Sequence, residues 1–412
     1  MLRADVYVND QKVARLSREG DFKHILTYEG DVNPSDFISL TMPVRDESWV
    51  WPELHPIFQM NLPEGFLLSL LQESLGPLLD GTDLTLLSVV GRNSIGRVRV
   101  VPAGESPEFS PEQFDLSDVL YGDNSEIAFV ELVRRHVASG VSGVVPKFLT
   151  PTQANEDFGK ISLHTGRSII KGSSANFPGL ALNEHFSMEV ARRIKMRVAD
   201  TEVSVDGKAL VVSRFDMDAE GNSLCGMEDF CTLLGMKPQQ KYDVTWERIV
   251  KALNAYVPPA EKHKAKEQLL RHIVLTFMVR NADCHAKNVA LTYTGMHDVT
   301  LAPVYDVVTT VVYPGFHNSS PGLSMGGRKT WHPGKSLELF AQQSCNIQPK
   351  KLKEIIEEIA QAMLEVAPQV IYATQYFSEF HEVGKRMLLA WNEGINGMRP
   401  TAQILMGKPG MQ

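Results

Sequence analysis

The order in which strand-like and helix-like segments occur constrains this chain more than any other feature of its sequence. Short apolar stretches with period-two alternation dominate the first half; after Asp229 the apolar spacing turns helical, over about 245–256, 262–280, 349–366 and 370–393. One pair of strands interrupts the helices. Val289–Tyr293 and Val299–Ala302 flank Thr294-Gly295-Met296-His297-Asp298, a turn-forming stretch, and so predict a short hairpin. An acidic motif lies on each side of it: Asn281-Ala282-Asp283-Cys284-His285-Ala286-Lys287-Asn288 before, and Tyr305-Asp306 after. A mostly β lobe followed by a mostly α lobe, with this hairpin between two acidic motifs, predicts an α+β fold.

The first lobe divides further. Residues 1 to about 100 alternate short strands with turns at Tyr28-Glu29-Gly30-Asp31 and Val32-Asn33-Pro34-Ser35, then change to helical spacing around Phe66, Leu67, Leu70 and Leu71. Pro102-Ala103-Gly104-Glu105-Ser106-Pro107, followed by Ser110-Pro111-Glu112, combines turn formers with charge and reads as a linker. The resulting division is 1–105, 106–235 and 236–412. In the middle segment a helix from Ile127 to Val137 runs into a stretch, Ser139 to Leu149, that reads as strand, loop, strand. Strands follow at Lys160–Leu163, Ser168–Lys171 and Ala209–Phe215. Between them a helix from about Asn183 to Lys195 repeats Leu182, Phe186, Val190 and Ile194 every fourth residue, giving it one buried face.

Composition narrows the function classes. A chain of 412 residues with 43% hydrophobic content can build more than one core. Its 41 Lys and Arg against 49 Asp and Glu leave a net charge of −8, which repels a phosphate backbone and disfavours direct nucleic-acid binding. The opening Met1-Leu2-Arg3-Ala4-Asp5-Val6-Tyr7 alternates like a strand and carries an acid where a secretory signal would be apolar. No apolar run reaches the roughly 18 residues that span a bilayer, so a cytoplasmic protein with no membrane association is expected. Cys225, Cys231, Cys284 and Cys345 match neither a disulfide framework nor a zinc pattern.

The acidic motifs carry the chemistry. Phosphoryl transfer needs a carboxylate near the attacking hydroxyl and oxygen ligands that hold Mg²⁺ on the nucleotide phosphates. Asp283 and Asn288 have the Asp-x-x-x-x-Asn spacing of a protein-kinase catalytic loop, and Asp306 follows the hairpin, where the metal-binding Asp of a kinase would lie. Taken singly, Asp283 could be a turn residue and Asp306 a helix cap; the joint order of the elements favours the catalytic reading. Lys171 ends the strand Ser168-Ile169-Ile170-Lys171, from which a lysine can reach phosphates as a point charge or remain a surface residue. Glu184 and Glu189 are both candidate ion-pair partners, and sequence does not choose between them.

At these residues the chain resembles the HipA family of bacterial toxin kinases, over most of its length. Asn281–Asn288 is similar to the family's N-x-D-x-H-x-K-N loop, and Leu301-Ala302-Pro303-Val304-Tyr305-Asp306 to its L-x-P-x-Y-D segment. Ser213-Arg214-Phe215-Asp216 and Glu228-Asp229-Phe230-Cys231 resemble its R-F-D and E-D-F stretches. Met60-Asn61-Leu62-Pro63-Glu64-Gly65 and Gly91-Arg92-Asn93-Ser94-Ile95-Gly96 resemble its amino-terminal domain. The resemblance implies a bilobal, protein-kinase-like fold and an ATP-dependent, Mg²⁺-requiring Ser/Thr protein kinase. Asp283 would be the base, supported by His285 and Lys287, with Asn288 and Asp306 the Mg²⁺ ligands. Lys147, Lys171, Val144, Val145, Arg214 and Phe215, together with Asn288 and Asp306, would line the nucleotide site.

The same resemblance implies a protein substrate, in known cases an aminoacyl-tRNA synthetase, whose phosphorylation halts translation. It also implies a HipB-like helix-turn-helix antitoxin through which DNA is met. Family members commonly carry S-x-[SA]-G-x-Q-x-K in the glycine-rich loop, with an autophosphorylated serine. Here Gly140 takes the first serine position, Ser142 matches the second, Ser139 lies one residue early and Val145 replaces the glutamine. Ser142 and Ser139 are therefore the regulatory candidates. Two other functions compete: a small-molecule or lipid phosphotransferase on the same fold, and a catalytically weak corepressor partner of a DNA-binding protein. The turn-rich stretch Tyr313–Gly322 is expected to be either a mobile substrate-facing loop or an ordered surface loop.

Overall fold

The computed structural model describes residues 2–62, 82–108, 115–138, 147–148, 161–165 and 167–399. The helical stretch around Phe66–Leu71 and the glycine-rich segment with Ser139, Ser142, Val144 and Val145 lie outside the described residues.

Strands β1 (Leu2–Val8), β2 (Gln11–Arg18), β3 (His24–Tyr28), β4 (Trp49–Trp51) and β5 (Val98–Pro102) form an antiparallel sheet in the order β4-β3-β2-β1-β5. The β1–β2 hairpin turns at Asn9 and Asp10, both with positive φ (49° and 62°), a geometry that short polar side chains tolerate and that matches the strand twist. Alternation then sends Ala4, Val6 and Val8 inward. Helix α1 (Asp83–Val90) packs on this sheet, and Thr82 caps it by accepting from the Thr85 amide. The predicted linker is tied down at its start: the Gly104 amide donates to buried Asp5 at 2.9 Å and the Tyr7 hydroxyl to the Glu105 carbonyl at 3.0 Å.

A second sheet runs β6-β7-β8-β10-β9, built from β6 (Lys147–Phe148), β7 (Ile161–His164), β8 (Ser168–Gly172), β9 (Thr201–Val203) and β10 (Ala209–Ser213). Its two faces serve different cores. Ile170, Ala209 and Val211 join the first sheet's apolar cluster together with Phe129 of α2 (Glu126–Ala138), whereas Leu210 and Val212 join the core of the helical lobe. Against the latter face lies α3 (Leu180–Arg193), whose residues Leu182, Phe186 and Val190 are buried at the predicted spacing, as is Ile194 just beyond its end.

The third sheet joins β11 (Gly226–Asp229) to the predicted hairpin, β12 (Ala290–Tyr293) and β13 (Thr300–Leu301). Helices α4 (Trp246–Tyr256), α5 (Lys262–Met278), α6 (Pro349–Tyr376) and α7 (His381–Met398) enclose the remaining core. The helix boundary expected between 366 and 370 is absent. Residues 349–376 form one helix with Pro368 inside it, and the break falls at Phe377–Phe380. An interior proline costs about 3 kcal/mol, but Pro368 lies on the exposed side, where the carbonyl it leaves unpaired can meet water. Ile359, Met363, Val366, Val370 and Ala373 meanwhile continue one buried stripe through it. Among the described residues no helix is long and apolar enough to cross a membrane.

Candidate active site

The acidic loop begins where α5 ends. Arg280 takes a left-handed conformation (φ 59°); its amide reaches the Phe277 carbonyl and the Asn281 amide the Thr276 carbonyl, so the helix closes in a Schellman-type cap. A non-glycine residue at such a position is held by its surroundings. The Arg280 guanidinium lies over Trp331 at 5.3 Å, and its carbonyl accepts from the Thr310 hydroxyl at 3.1 Å. The same Thr310 oxygen accepts from the Ala282 amide at 2.7 Å, and the Asn281 side chain accepts from the Asp283 amide at 3.1 Å. Chain direction through Asp283 is thus set by backbone bonds to buried groups.

The other end of the loop is locked to Asp306. The Asn288 amide group accepts from the His285 backbone N–H at 2.9 Å and donates to Asp306 Oδ2 at 2.6 Å. Asp306 has a positive φ of 62°, while the neighbouring Tyr305 hydroxyl donates to the Lys287 carbonyl at 2.8 Å. Burial raises the Tyr305 phenol well above its ordinary range, and the charges of Asp229 and Asp306 add to this, so it serves as a donor.

Lys171, at the end of β8, joins this cluster from the opposite lobe. Its ammonium contacts Glu184 Oε1 at 2.5 Å and Asp306 Oδ1 at 2.8 Å. The choice between Glu184 and Glu189 is decided by helix phase. Five residues on an α-helix turn the side chain by roughly 140°, so Glu184 is fully buried facing the sheet while Glu189 pairs with Arg192 and Arg193 on the outer side. A strand lysine paired with a glutamate of the adjacent helix is the arrangement protein kinases use to hold nucleotide phosphates.

Lys171, Arg214, Phe215, Asp283, His285, Lys287, Asn288 and Asp306 all line one cleft. Its apolar wall comes from Ile169, Ala199, Val212 and Met227, with the Phe215 ring tilted against that of Tyr305, centroids 6.0 Å apart. Of the other nucleotide-site candidates, Lys147 pairs with Ser162 in the second sheet's edge ladder, and Val144 and Val145 are among the residues not described. The Arg214 guanidinium is turned into the protein, where it donates to Asp216, to Asn93 Oδ1 at 2.7 Å and to the Ser94 carbonyl at 2.9 Å. Burial opposes ionisation of Asp216, but the Arg214 charge and hydrogen bonds, with the Gly96 amide, hold its carboxyl below the ordinary range. Arg214 therefore braces the amino-terminal segment against the cleft.

Several residues at the cleft are not among the site residues expected from sequence. Met60 and Ile95 bring the amino-terminal segment to the cleft wall, Asp229 reaches it at the end of β11, and Lys241 comes from the segment after β11, where its neighbour Tyr242 bonds Asp283. Met60, Ile95 and Asp229 lie in stretches that resemble HipA motifs, whereas Lys241 and Tyr242 carry no local signal; folding gathers all of them at the cleft. The stretch Tyr313–Gly322 is anchored, with the Ser319 carbonyl accepting from Trp331 at 2.8 Å and His317 Nδ1 lying 2.7 Å from the Val311 carbonyl. Gly322 abuts the acidic loop so closely that a Cβ there would lie 2.4 Å from the Cys284 carbonyl oxygen.

The family of HipA-like C-terminal domains matches residues 139–367, and that of HipA N-terminal domains matches residues 4–101. The chain belongs to the HipA family. It is 25% identical over 399 residues to the serine/threonine-protein kinase toxin HipA of Shewanella oneidensis, covering 89% of each chain. A solved structure of a Shewanella oneidensis HipA, in complex with HipB and operator DNA, superposes with a TM-score of 0.66 at 22% identity, over 97% of this chain and 100% of that one. The fold is thus the α+β, kinase-like fold of HipA.

Proposed function

We propose that this HipA-family chain is an ATP-dependent serine/threonine protein kinase, the toxin of a toxin–antitoxin pair. The observation that carries the reading is the cluster Glu184–Lys171–Asp306–Asn288, which closes over the same cleft as Asp283. In it, Lys171 holds the phosphates of ATP, Glu184 holds Lys171, and Asp283 takes the proton of the acceptor hydroxyl. The apolar wall of Ile169, Ala199, Val212 and Met227 suits a nucleotide base.

The oxygens of Asp306 and Asn288 suit a hard cation. Among the described residues no group of three or more His, Cys, Asp and Glu could hold a metal alone, and Mg²⁺ bound with a nucleotide requires only one or two carboxylates plus phosphates. When bound, Mg²⁺ would neutralise charge on the transferring phosphoryl group. Asp306 would hold it, and Asn288, whose Oδ1 retains a lone pair beyond the one given to His285, would complete the pair.

The acceptor in this reading is a hydroxyl on a protein of the translation machinery, such as an aminoacyl-tRNA synthetase. A HipB-like helix-turn-helix antitoxin is the partner through which DNA is contacted, in keeping with the net charge of −8. Ser142 and Ser139 are the candidates for self-phosphorylation. Incubating wild type and Asp283→Asn with γ-labelled ATP and a cell lysate tests the assignment. Labelled protein is expected with wild type and about 10²- to 10⁴-fold less with the variant; equal labelling would refute it, and a labelled metabolite without labelled protein would point to a small-molecule acceptor.

A further inference from the structure

The catalytic carboxylate has a partner that the kinase reading does not use. The Tyr242 hydroxyl donates to Asp283 Oδ1 at 2.5 Å, from a residue 41 positions earlier in the chain. The contact is built from several directions. The Lys241 carbonyl accepts from the Ala286 amide at 3.1 Å, joining this segment to the acidic loop by its backbone. The Tyr242 carbonyl accepts from Lys329 at 3.4 Å, and its ring meets His285 edge-on with centroids 5.0 Å apart. Three residues on, Thr245 caps α4 through the Arg248 amide. The hydroxyl is held against Asp283 by a segment stitched to the loop and to a helix.

An aspartate side chain rotates over a broad, roughly two-fold range about its last torsion, so a backbone-anchored Asp283 does not by itself decide which lone pair faces an acceptor. A carboxylate has about four acceptor sites, and Tyr242 takes one of them in a defined direction. We propose that Tyr242 is a positioning residue for phosphoryl transfer, orienting the Asp283 carboxylate through its hydroxyl; this rests on the kinase reading. In the step, a bond forms between the acceptor oxygen and the γ-phosphorus of ATP. The bond from that phosphorus to the β–γ bridging oxygen breaks, ADP leaves, and the acceptor's proton passes to Asp283. Tyr242 keeps its own proton throughout and touches neither ATP nor acceptor.

Tyr242→Phe keeps the ring against His285 and removes only the donor. With γ-labelled ATP, transfer into the chain itself and into myelin basic protein is measured as kcat and KM. The expected result is a fall in kcat of about 10- to 100-fold, the worth of one hydrogen bond to a charged group. KM for ATP and the thermal midpoint should stay as in wild type, whereas a merely structural role would move both. In the Asp283→Asn background the same substitution should cost nothing further, because it acts through that carboxylate. Unchanged kcat in Tyr242→Phe, or a multiplied loss in the double variant, overturns the proposal while leaving the kinase reading intact. Faster transfer with a lower acceptor KM also overturns it, since the hydroxyl would then be occupying the acceptor's place. No transfer by wild type to any protein removes both.

Discussion

Replacing Glu228 by glutamine should change how stability depends on pH, with a sign and size that follow from its surroundings. Glu228 is fully buried where β11 meets the amino-terminal segment. It accepts from the Ser39 hydroxyl and the Leu40 amide, each at 2.7 Å, and from the Tyr293 hydroxyl at 2.6 Å. Burial pushes its carboxyl up to about 7 even though all three donors favour the anion. The gap from an ordinary glutamate corresponds to roughly 3 kcal/mol. A carboxyl with a raised folded pKa contributes stability that is complete below its unfolded value and lost as pH rises through about 7. His55 and His272, both lowered by burial to about 4, act the other way: their contribution is present above an ordinary histidine value and lost as pH falls toward 4.

The two effects oppose each other over nearly the same window, and because two histidines stand against one carboxyl of similar shift, wild type should still gain stability as pH rises from 4, with the Glu228 contribution masked within that rise. Glu228→Gln matches the protonated carboxyl in shape. Near pH 4.5 it should have close to wild-type stability, and the difference should grow in the variant's favour through pH 7, toward a limit of roughly 3 kcal/mol at pH 8. Urea unfolding followed by tryptophan fluorescence, with Trp246 and Trp391 buried in the core, measures this at a series of pH values. A difference between variant and wild type that stays constant from pH 5 to pH 8 would refute the reasoning.

The remaining predictions concern the cleft. Lys171→Met leaves Glu184 and Asp306 without their shared cation, and phosphoryl transfer should fall by about 100-fold or more, read as labelled product from γ-labelled ATP. Glu184→Gln weakens the hold on Lys171 without removing the charge that meets phosphate; a loss of about tenfold, including a rise in KM for ATP, is expected in the same assay. Gly322→Ala forces a Cβ to 2.4 Å from the Cys284 carbonyl oxygen and 2.9 Å from that of Ala282. Overpacking of this kind costs about 1–3 kcal/mol, so urea unfolding should show that loss, and turnover should fall with it because the displaced backbone carries Asp283.

A second close approach shows how the amino-terminal segment is tied to the cleft. A Cβ on Gly96 (φ 84°) would lie 2.9 Å from the Met227 amide nitrogen, and the Gly96 amide donates to Asp216 at 2.7 Å. Arg97 extends this link, donating to the Thr294 carbonyl at 2.7 Å and to the Phe37 carbonyl at 2.8 Å. With Arg214 held on Asn93 and Ser94, these contacts make the first 100 or so residues part of the cleft's support.

Read from residues alone, the chain already declared its two lobes, the hairpin between Asp283 and Asp306, and the helix that buries Phe186 and Val190. Each rests on a periodicity or a turn whose cause is local: alternation in a strand, a fourfold repeat in a helix, a glycine or asparagine at a bend. Local rules also misled at Pro368, where a buried apolar stripe outweighed the proline. What only the tertiary structure decided is which distant groups meet. Glu184 rather than Glu189 faces Lys171 because of the rotation of one helix against one sheet, and Tyr242 reaches Asp283 because the segment before α4 is bonded to the acidic loop. Met60 and Ile95 reach the cleft only because two sheets share a core. These meetings depend on the packing of elements far apart in sequence, which no local pattern encodes.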